Sequence, residues 1–252
     1  MSKLIVTIIT ATYNSEITIA DTLTSVNSQT YNQIEHLIID GISRDHTLDL
    51  IHRISPKAII HQGKDSGIYD AMNKGISLAQ GDIIGILNSD DFYASSTVIE
   101  DVVAKFEETG CDALYGDLDY VNESDTSRVT RRWISGNQKM NSFLYGWMPP
   151  HPTFFVKKSV YEKYGSFNLK LWSAADYELM LRFIYKNKIS LAYLPKTLVK
   201  MRMGGQSNKS FKNRFIANKE DRLAWRINDL KPFWFTLYLK PLRKVAQFFI
   251  KS

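Results

Sequence analysis

Acidic and amide side chains follow three short apolar runs of this 252-residue sequence, at positions 10–14, 40–45 and 88–91. Carboxylates repel phosphate groups, but they can hold a divalent cation that bridges to phosphates, because such cations prefer hard oxygen ligands. Asp90 and Asp91 have this character. A solvated turn explains the pair about equally well, since turns favour aspartate. These residues therefore indicate either cation-assisted phosphate chemistry or a turn between two elements.

Motifs for several other chemistries are absent from this sequence. It has no G-x-G-x-x-G after the first apolar run and no G-x-x-x-x-G-K-[ST], so it matches neither a dinucleotide-binding fold nor a P-loop. It also lacks the G-x-S-x-G nucleophile elbow of α/β-hydrolases. Cys111 is the one cysteine, which excludes a disulfide framework and a zinc or iron–sulfur site built from cysteines.

The polar runs are placed by a predicted alternation of strands and helices. Apolar, β-branched runs predict buried strands, and helical spacing of apolar residues predicts the segments between them. The predicted strands are 4–10, 35–40, 58–61, 82–87 and 112–115, and the predicted helices are 18–29, 47–54, 69–80 and 97–109. This order indicates βαβ units and a mostly parallel α/β sheet flanked by helices. Because ligands bind beyond the carboxyl ends of such strands, we expect the three polar runs to share one pocket.

The pattern of the sequence changes after Gly116. Residues 117–133 are predicted to form either a hairpin or an irregular excursion. A loop, a strand and two helices are then predicted, over 134–152, 153–156, 157–164 and 176–186. No internal repeat and no low-complexity segment is present.

Positive charge is concentrated at the C-terminal end of the chain. The whole sequence has a formal net charge of +6, while residues 211–252 hold ten Lys or Arg and three Asp or Glu, a balance of +7. Residues 1–210 are therefore close to neutral, at −1. No apolar run approaches the roughly 18 residues of a membrane span, and no signal-peptide cleavage site follows the first residues, so we expect a cytoplasmic protein.

Five separated blocks of the sequence occur in an order that is typical of one enzyme family. They are TATYN at 10–14, DGISRD at 40–45, DSGIYDAMNKG at 65–75, NSDD at 88–91 and WSAADYELMLR at 172–182. Over about residues 4–207 the chain resembles the inverting family-2 glycosyltransferases of the GT-A fold, especially the bacterial branch that builds surface polysaccharides. The resemblance rests on several blocks, which makes it stronger than any one motif.

The resemblance implies a role for each of these positions. The donor-binding residues would be Thr10, Ala11, Tyr13, Asn14, Asp40, Asp65, Asn73, Lys74, Asn88, Ser89, Asp90 and Arg202. Asp90 and Asp91 would hold a divalent cation, Mn²⁺ or Mg²⁺. Asp176 would be the catalytic base, and His151 and Trp172 would border the acceptor.

Three positions depart from the pattern of the family. Met72 stands where many relatives carry an Arg, which passes the cationic contact with the diphosphate to Lys74. Asn88 replaces the first acid of the Asp-x-Asp metal motif, and Ala175 replaces the first acid of the pair that contains the base.

Structural explanations stay open beside these functional ones. They are a turn or helix cap at Asp40 and Asp45, helix packing at Asn73, a Ser173–Asp176 capping box, a structural histidine at His151 and a glycine turn after Arg202. A cap and a base are compatible at Asp176, because a helix N-terminus keeps a carboxylate ionised and fixes its direction.

The resemblance also implies an organisation and a function for the chain. Residues 1–115 would form the nucleotide-sugar-binding half of one GT-A domain, 116–210 its acceptor and catalytic-base half, and 211–252 a basic, aromatic helical tail. The implied reaction is transfer of a single sugar from a nucleotide-sugar, with UDP as the expected nucleotide, to a hydroxyl of a glycan or polyprenyl-linked acceptor, with inversion. The alternatives are a non-catalytic nucleotide- or glycan-binding relative and a nucleotidyltransferase.

The tail combines its charge with nine aromatic residues. Basic residues interleaved with bulky apolar ones suit a helix that lies on an anionic membrane, and no nucleic-acid module is present, so nucleic acid is not expected as a partner. We therefore expect residues 211–252 to hold the protein peripherally on the inner face of the cell membrane. The alternative is that the apolar stripe packs on the catalytic domain or on a second subunit, as in a homodimer.

Overall fold

The computed structural model describes residues 3–203 and 211–246. The strands in this part of the chain are β1 (Val6–Thr12), β2 (Ile34–Asp40), β3 (Ile59–Gln62), β4 (Ile83–Ile86), β5 (Asp91–Tyr93), β6 (Ala113–Val121), β7 (Val129–Trp133), β8 (Phe155–Lys157) and β9 (Leu191–Arg202). The helices are α1 (Ile19–Asn27), α2 (Thr47–Ile54), α3 (Ile68–Leu78), α4 (Val98–Thr109), α5 (Lys158–Tyr164), α6 (Ala175–Met180), α7 (Phe211–Ile227) and α8 (Thr236–Ala246). A π-helical turn, Leu181–Lys186, continues α6. The predicted positions 204–207 and 247–252 lie outside the described residues.

The nine strands of the described residues form one sheet, in the order β3-β2-β1-β4-β8-β6-β9-β5, with β7 paired to β6. The first four strands and first four helices match the predicted segments, with ends that differ by at most two residues. Every residue of β1 is buried, as expected for a β-branched strand inside a parallel sheet. Thr12 lies opposite Asp40, so β1 and β2 end side by side and their loops emerge together.

The second half of the sheet is mixed rather than parallel. Strand β8 is antiparallel to both β4 and β6, while the long β9 is parallel to β6 and antiparallel to β5. The predicted turn at 88–91 ends in strand β5, because Asp91 pairs with Met201 of β9. A strand of three residues has too little pattern of its own to be predicted, and its partner lies 110 positions away in the chain.

Helices α7 and α8 each pack one face on the elements that precede them. Trp225 of α7 has no exposed surface, and Leu237 of α8 joins the same core cluster. The Thr236 hydroxyl donates to the backbone oxygen of Leu144, 2.6 Å away. One face of each helix therefore packs on the protein itself, which is the alternative given above to membrane binding. Within the described residues, no helix is both long and apolar enough to cross a lipid bilayer.

Candidate active site

The loops that follow β1, β2 and β4 meet at one edge of the sheet, as predicted. Asn14, whose φ of 47° lies in the left-handed region that asparagine tolerates, accepts a hydrogen bond from the Arg44 N–H at 2.8 Å. Its own N–H donates to the Ser43 hydroxyl at 2.9 Å. The hydroxyls of Ser15 and Ser89 are also hydrogen-bonded, at 2.9 Å. Asn14 and Ser89 therefore join the three loops to each other.

Tyr13 and Asp65 lie on either side of the backbone at Gly41. A Cβ atom placed on Gly41 would lie 3.0 Å from Asp65 Oδ2 and 3.4 Å from Tyr13 Cδ2, so a larger residue would require these side chains to move. Tyr13 is 61% exposed and offers an aromatic face for stacking. An exposed aromatic ring near a carboxylate could contact a flat ring with a polar edge.

Thr10 and Ala11 belong to the buried strand β1 instead of the donor loop. Thr10 has no exposed surface, and its hydroxyl is 3.1 Å from Nε2 of His36. Burial lowers the pKa of His36 to about 4, so its ring is neutral at neutral pH. Both side chains are buried in the core, and the contact of these two residues with the donor stays a prediction.

Asp40 is also turned inward. Its carboxylate accepts hydrogen bonds from the N–H and the hydroxyl of Ser43, at 3.0 and 2.5 Å, and from the amide of Gln62 at 3.2 Å. It has no exposed surface. The turn-forming alternative therefore describes Asp40 in this structure, and its contact with the donor base stays a prediction.

Asn73 and Lys74 are likewise engaged within the protein. The Asn73 amide donates to the backbone oxygen of Phe167 at 2.9 Å and accepts from its N–H at 2.8 Å, which ties α3 to a distant loop. Lys74 donates to the backbone oxygen of Lys64 at 2.8 Å and lies 3.3 Å from Asp70. Their polar groups therefore have partners within the protein, and the donor contacts of both residues stay predictions.

The loop after β4 places Asp90, Asp91 and Arg202 together. Arg202 of β9 donates to the backbone oxygen of Asp90 at 2.7 Å and forms an ion pair with Asp21. Asp91 is completely buried, and its Oδ2 accepts a hydrogen bond from the Asn88 amide at 3.3 Å. Only Asp90 of the two acids retains exposed surface. Asp91 therefore lies behind Asp90 as seen from solvent.

The oxygen atoms at this loop suit a divalent cation. Oδ1 of Asn88 and Oδ1 of Asp91 are buried without a hydrogen-bond partner. Burial raises the pKa of Asp90 and raises that of Asp91 well above its usual value, to which the neighbouring Asp90 charge also contributes. A bound cation would lower both pKa values again, and the oxygen atoms of these side chains are the hard ligands that divalent cations prefer. The described residues contain no preassembled group of three acidic, His or Cys ligands, so water and phosphate oxygens would complete the coordination.

The predicted base, Asp176, is the second residue of α6 and is half-buried. The hydroxyl of Tyr69 lies 3.4 Å from Oδ1 of Asp176 and 3.4 Å from the backbone oxygen of Ser173. The rings of Tyr69 and His151 both pack on Phe167, with centroid distances of 5.3 and 5.9 Å. Burial lowers the pKa of His151, while the Asp176 charge acts in the opposite direction. The structure therefore brings Asp176, His151 and Tyr69 together, and Trp172 nearby is 58% exposed.

The predicted Ser173–Asp176 capping box does not form. Helix α6 begins at Ala175 without a side-chain cap from its N-cap residue, and the Ser173 hydroxyl instead contacts Glu220 of α7 at 3.2 Å. Tyr69 and Glu220 were not among the predicted site residues. Tyr69 lies inside the 65–75 block, so the sequence motif could have identified it as a site residue. No local sequence pattern connects Glu220 to a loop more than 40 positions earlier.

The mixed sheet with polar loops at its parallel edge and a carboxylate at the start of α6 has the architecture of a GT-A glycosyltransferase. The family model of glycosyl transferase family 2 matches residues 7–165, and the chain belongs to this family. The predicted family and fold are thereby confirmed, and the nucleotidyltransferase alternative is set aside.

Curated relatives and solved structures agree with this assignment. The PGL/p-HBAD biosynthesis glycosyltransferase of Mycobacterium tuberculosis is 28% identical over 216 residues, which cover 83% of this chain and 81% of that protein. The UDP-Glc:alpha-D-GlcNAc-diphosphoundecaprenol beta-1,3-glucosyltransferase WfaP of Escherichia coli is 29% identical over 213 residues, 82% of each chain.

Solved structures are similar in fold at lower identity. S. aureus TarS in complex with UDP-GlcNAc has a TM-score of 0.69 at 19% identity, covering 89% of this chain. The solved chain holds residues 1–349 of TarS, and the match covers 65% of it. The mannosyltransferase PcManGT of Pyrobaculum calidifontis, in complex with GDP-Man and Mn²⁺, has a TM-score of 0.67 at 16% identity, covering 95% of this chain and 70% of that one.

Proposed function

We propose that this glycosyltransferase transfers one sugar from a UDP-sugar to a hydroxyl of a glycan or polyprenyl-linked acceptor, with inversion, in cell-surface polysaccharide biosynthesis. The observation that carries the proposal is the segment that begins α3. Asp65 lies beside Gly41 of the loop after β2, and Tyr69, four residues later, contacts Asp176. One short segment therefore joins the donor side of the site to the base.

The reaction follows from where the charged groups lie. In this proposal the base of the nucleotide lies against Tyr13 and beside Asp65, and the diphosphate lies near Asp90. Asp90 would hold a divalent cation, Mn²⁺ or Mg²⁺, and this cation would supply positive charge to the diphosphate. Asp176 accepts the proton of the acceptor hydroxyl, which attacks the sugar from the face opposite the diphosphate and inverts the anomeric centre. Trp172 offers its exposed ring to the acceptor.

The choice of substrates is supported by the relatives. WfaP is named for a UDP-Glc donor and a diphosphoundecaprenol-linked acceptor, and the TarS structure contains UDP-GlcNAc. The Q-x-x-R-W motif of polymerising relatives is absent from this sequence, which favours a single addition.

A panel of nucleotide-sugars tests the donor and the cation together. We expect UDP-sugars to raise the melting temperature in the presence of Mn²⁺ more than without it, because a ligand that binds only the folded state stabilises it. GDP- and ADP-sugars at the same concentration are the controls. A chain that binds UDP-sugars but neither transfers nor hydrolyses them would support the non-catalytic alternative. A chain that no nucleotide-sugar stabilises would contradict the proposal.

We also propose that the protein binds an anionic membrane surface through an exposed face of α7, α8 and their connection, here called the tail patch. Its apolar members are Phe233, Trp234, Tyr238 and Leu242, and its cations are Arg222, Arg226, Lys231 and Arg243, all of them exposed. Trp234 is 84% exposed, which is costly for so large an apolar ring in water. Trp and Tyr among cations suit the lipid headgroup region, where an acceptor with a lipid anchor would be met.

Vesicle co-sedimentation tests the tail patch with the full chain. We expect binding to phosphatidylglycerol-containing vesicles that weakens at high salt, and about tenfold weaker binding after Trp234→Ser or after Arg226→Gln with Lys231→Gln. Ile17→Ser and Arg53→Gln with Lys57→Gln are matched controls, since these residues are exposed elsewhere on the chain. A full chain that does not bind the vesicles would contradict the proposal. Concentration-dependent dimers that Trp234→Ser disrupts would identify a second copy as the partner instead.

A further inference from the structure

One carboxylate from α7 binds three consecutive backbone amides in front of α6. Oε1 of Glu220 accepts from the N–H of Trp172 at 3.0 Å, and Oε2 accepts from the N–H of Ser173 at 2.7 Å and of Ala174 at 3.1 Å. The Ser173 hydroxyl is 3.2 Å from the same oxygen. Glu220 thus satisfies three backbone N–H groups of the loop before α6.

These amides lie between the two residues that would handle the acceptor. Trp172 is the exposed ring at one end of the loop, and Asp176 follows the last bound amide by two positions. The amides that precede a helix have no partner within the helix, so a charged acceptor there holds the chain firmly. Fixing this loop fixes the direction of both side chains.

Helix α7 remains attached to α6 without Glu220. The indole N–H of Trp225 donates to the Tyr177 hydroxyl at 2.9 Å, and the Asn228 amide donates to Oε1 of Glu178 at 2.9 Å. Trp225 has no exposed surface and Asn228 is buried, so these contacts are protected from water. Removal of the Glu220 carboxylate would therefore loosen the loop while the helix stays in its position.

We propose that Glu220 is a positioning residue of the transfer reaction, which holds the 172–174 loop so that Trp172 and Asp176 face the acceptor. The inference rests on the proposed function. Glu220 belongs to residues 211–252, which the sequence predicts to be a basic tail. The proposal gives this region a part in the acceptor site. Glu220 itself does not contact the reacting groups in this account.

The test compares Glu220→Ala and Glu220→Gln with Glu107→Ala, a matched control on the exposed surface of α4. We expect kcat/KM for the acceptor to fall by about 10- to 100-fold in Glu220→Ala, because small misplacements of catalytic groups have effects of this size. Glu220→Gln, which keeps one accepting oxygen, should recover part of the loss. Donor affinity and the stoichiometry of one donor per chain should not change in any of the three variants.

Hydrogen exchange reports on the loop even without turnover. The amides of residues 172–174 should exchange about tenfold faster in Glu220→Ala and at the wild-type rate in Glu107→Ala. Unchanged exchange, or wild-type transfer by Glu220→Ala, would overturn the inference. A fall in donor stoichiometry parallel to the loss of transfer would also overturn it, since it would indicate misfolding. A wild-type chain that transfers no sugar would contradict the proposed function, and the exchange rates would still decide whether Glu220 holds the loop.

Discussion

The Asp176→Asn variant is expected to bind the nucleotide-sugar as tightly as the wild-type chain while it transfers sugar about two to four orders of magnitude more slowly. The amide has nearly the shape of the carboxylate and can still accept the hydrogen bond from Tyr69. It cannot take a proton from the acceptor hydroxyl. The loss should therefore fall on kcat, because the missing interaction is made in the transition state.

Single-turnover transfer to a polyprenyl-linked glycan, together with calorimetry of the donor, separates these two quantities. Asp229→Asn is a suitable control, because this residue is exposed near the end of α7 and has a positive φ that asparagine also tolerates. Ordinary turnover by Asp176→Asn would show that the base lies elsewhere.

The other nearby carboxylates are poor substitutes for Asp176. Glu178 forms a buried ion pair with Arg182, with a shortest N–O distance of 2.9 Å, and only 1% of its side chain is exposed. Asp117 accepts hydrogen bonds from the Ser135 N–H at 2.7 Å and from the Tyr193 hydroxyl at 2.9 Å. Both acids are engaged within the protein, so Asp176 is the residue on which the test should concentrate.

The Asp90→Asn variant is expected to lose the part of donor affinity that depends on Mn²⁺ and to transfer sugar about a thousandfold more slowly. The fold should be retained, because Arg202 contacts the backbone oxygen of Asp90 and not its side chain. Burial also disfavours the Asp90 charge, so a neutral side chain of the same shape should not destabilise the loop. The expected loss reflects the several kcal/mol that a cation contributes to charge developing on a leaving phosphate.

Calorimetry of a UDP-sugar with Mn²⁺ and with a chelator measures the effect of this substitution. Asp125→Asn, in the exposed turn between β6 and β7, is the matched control. A variant whose Mn²⁺-dependent affinity equals that of the wild-type chain would reject Asp90 as the ligand. Asp91→Asn is less informative, because Asp91 is completely buried and its replacement would also alter the core.

The first half of the fold was accessible from the sequence because its signals are local. Buried parallel strands are continuous apolar runs, and an amphipathic helix repeats its apolar residues every three or four positions. These patterns placed β1 to β4 and predicted α2 over the Thr47–Ile54 span that the structure has. The three polar runs were expected to meet because the carboxyl ends of neighbouring parallel strands share an edge, and the loops do meet there.

The sequence by itself determined the family, the order of the main elements and the two carboxylates on which we base the chemistry, Asp90 and Asp176. Only the tertiary structure decided what each polar side chain contacts. Asp40 and Asn73 were predicted to bind the donor, yet their hydrogen bonds go to Ser43, Gln62 and the backbone of Phe167. Glu220 was assigned to a surface tail, yet it binds the loop before α6. The physical reason is that apolar periodicity is a local pattern of a few residues. The hydrogen-bond partners of these side chains are as many as 94 positions apart and are brought together by tertiary packing.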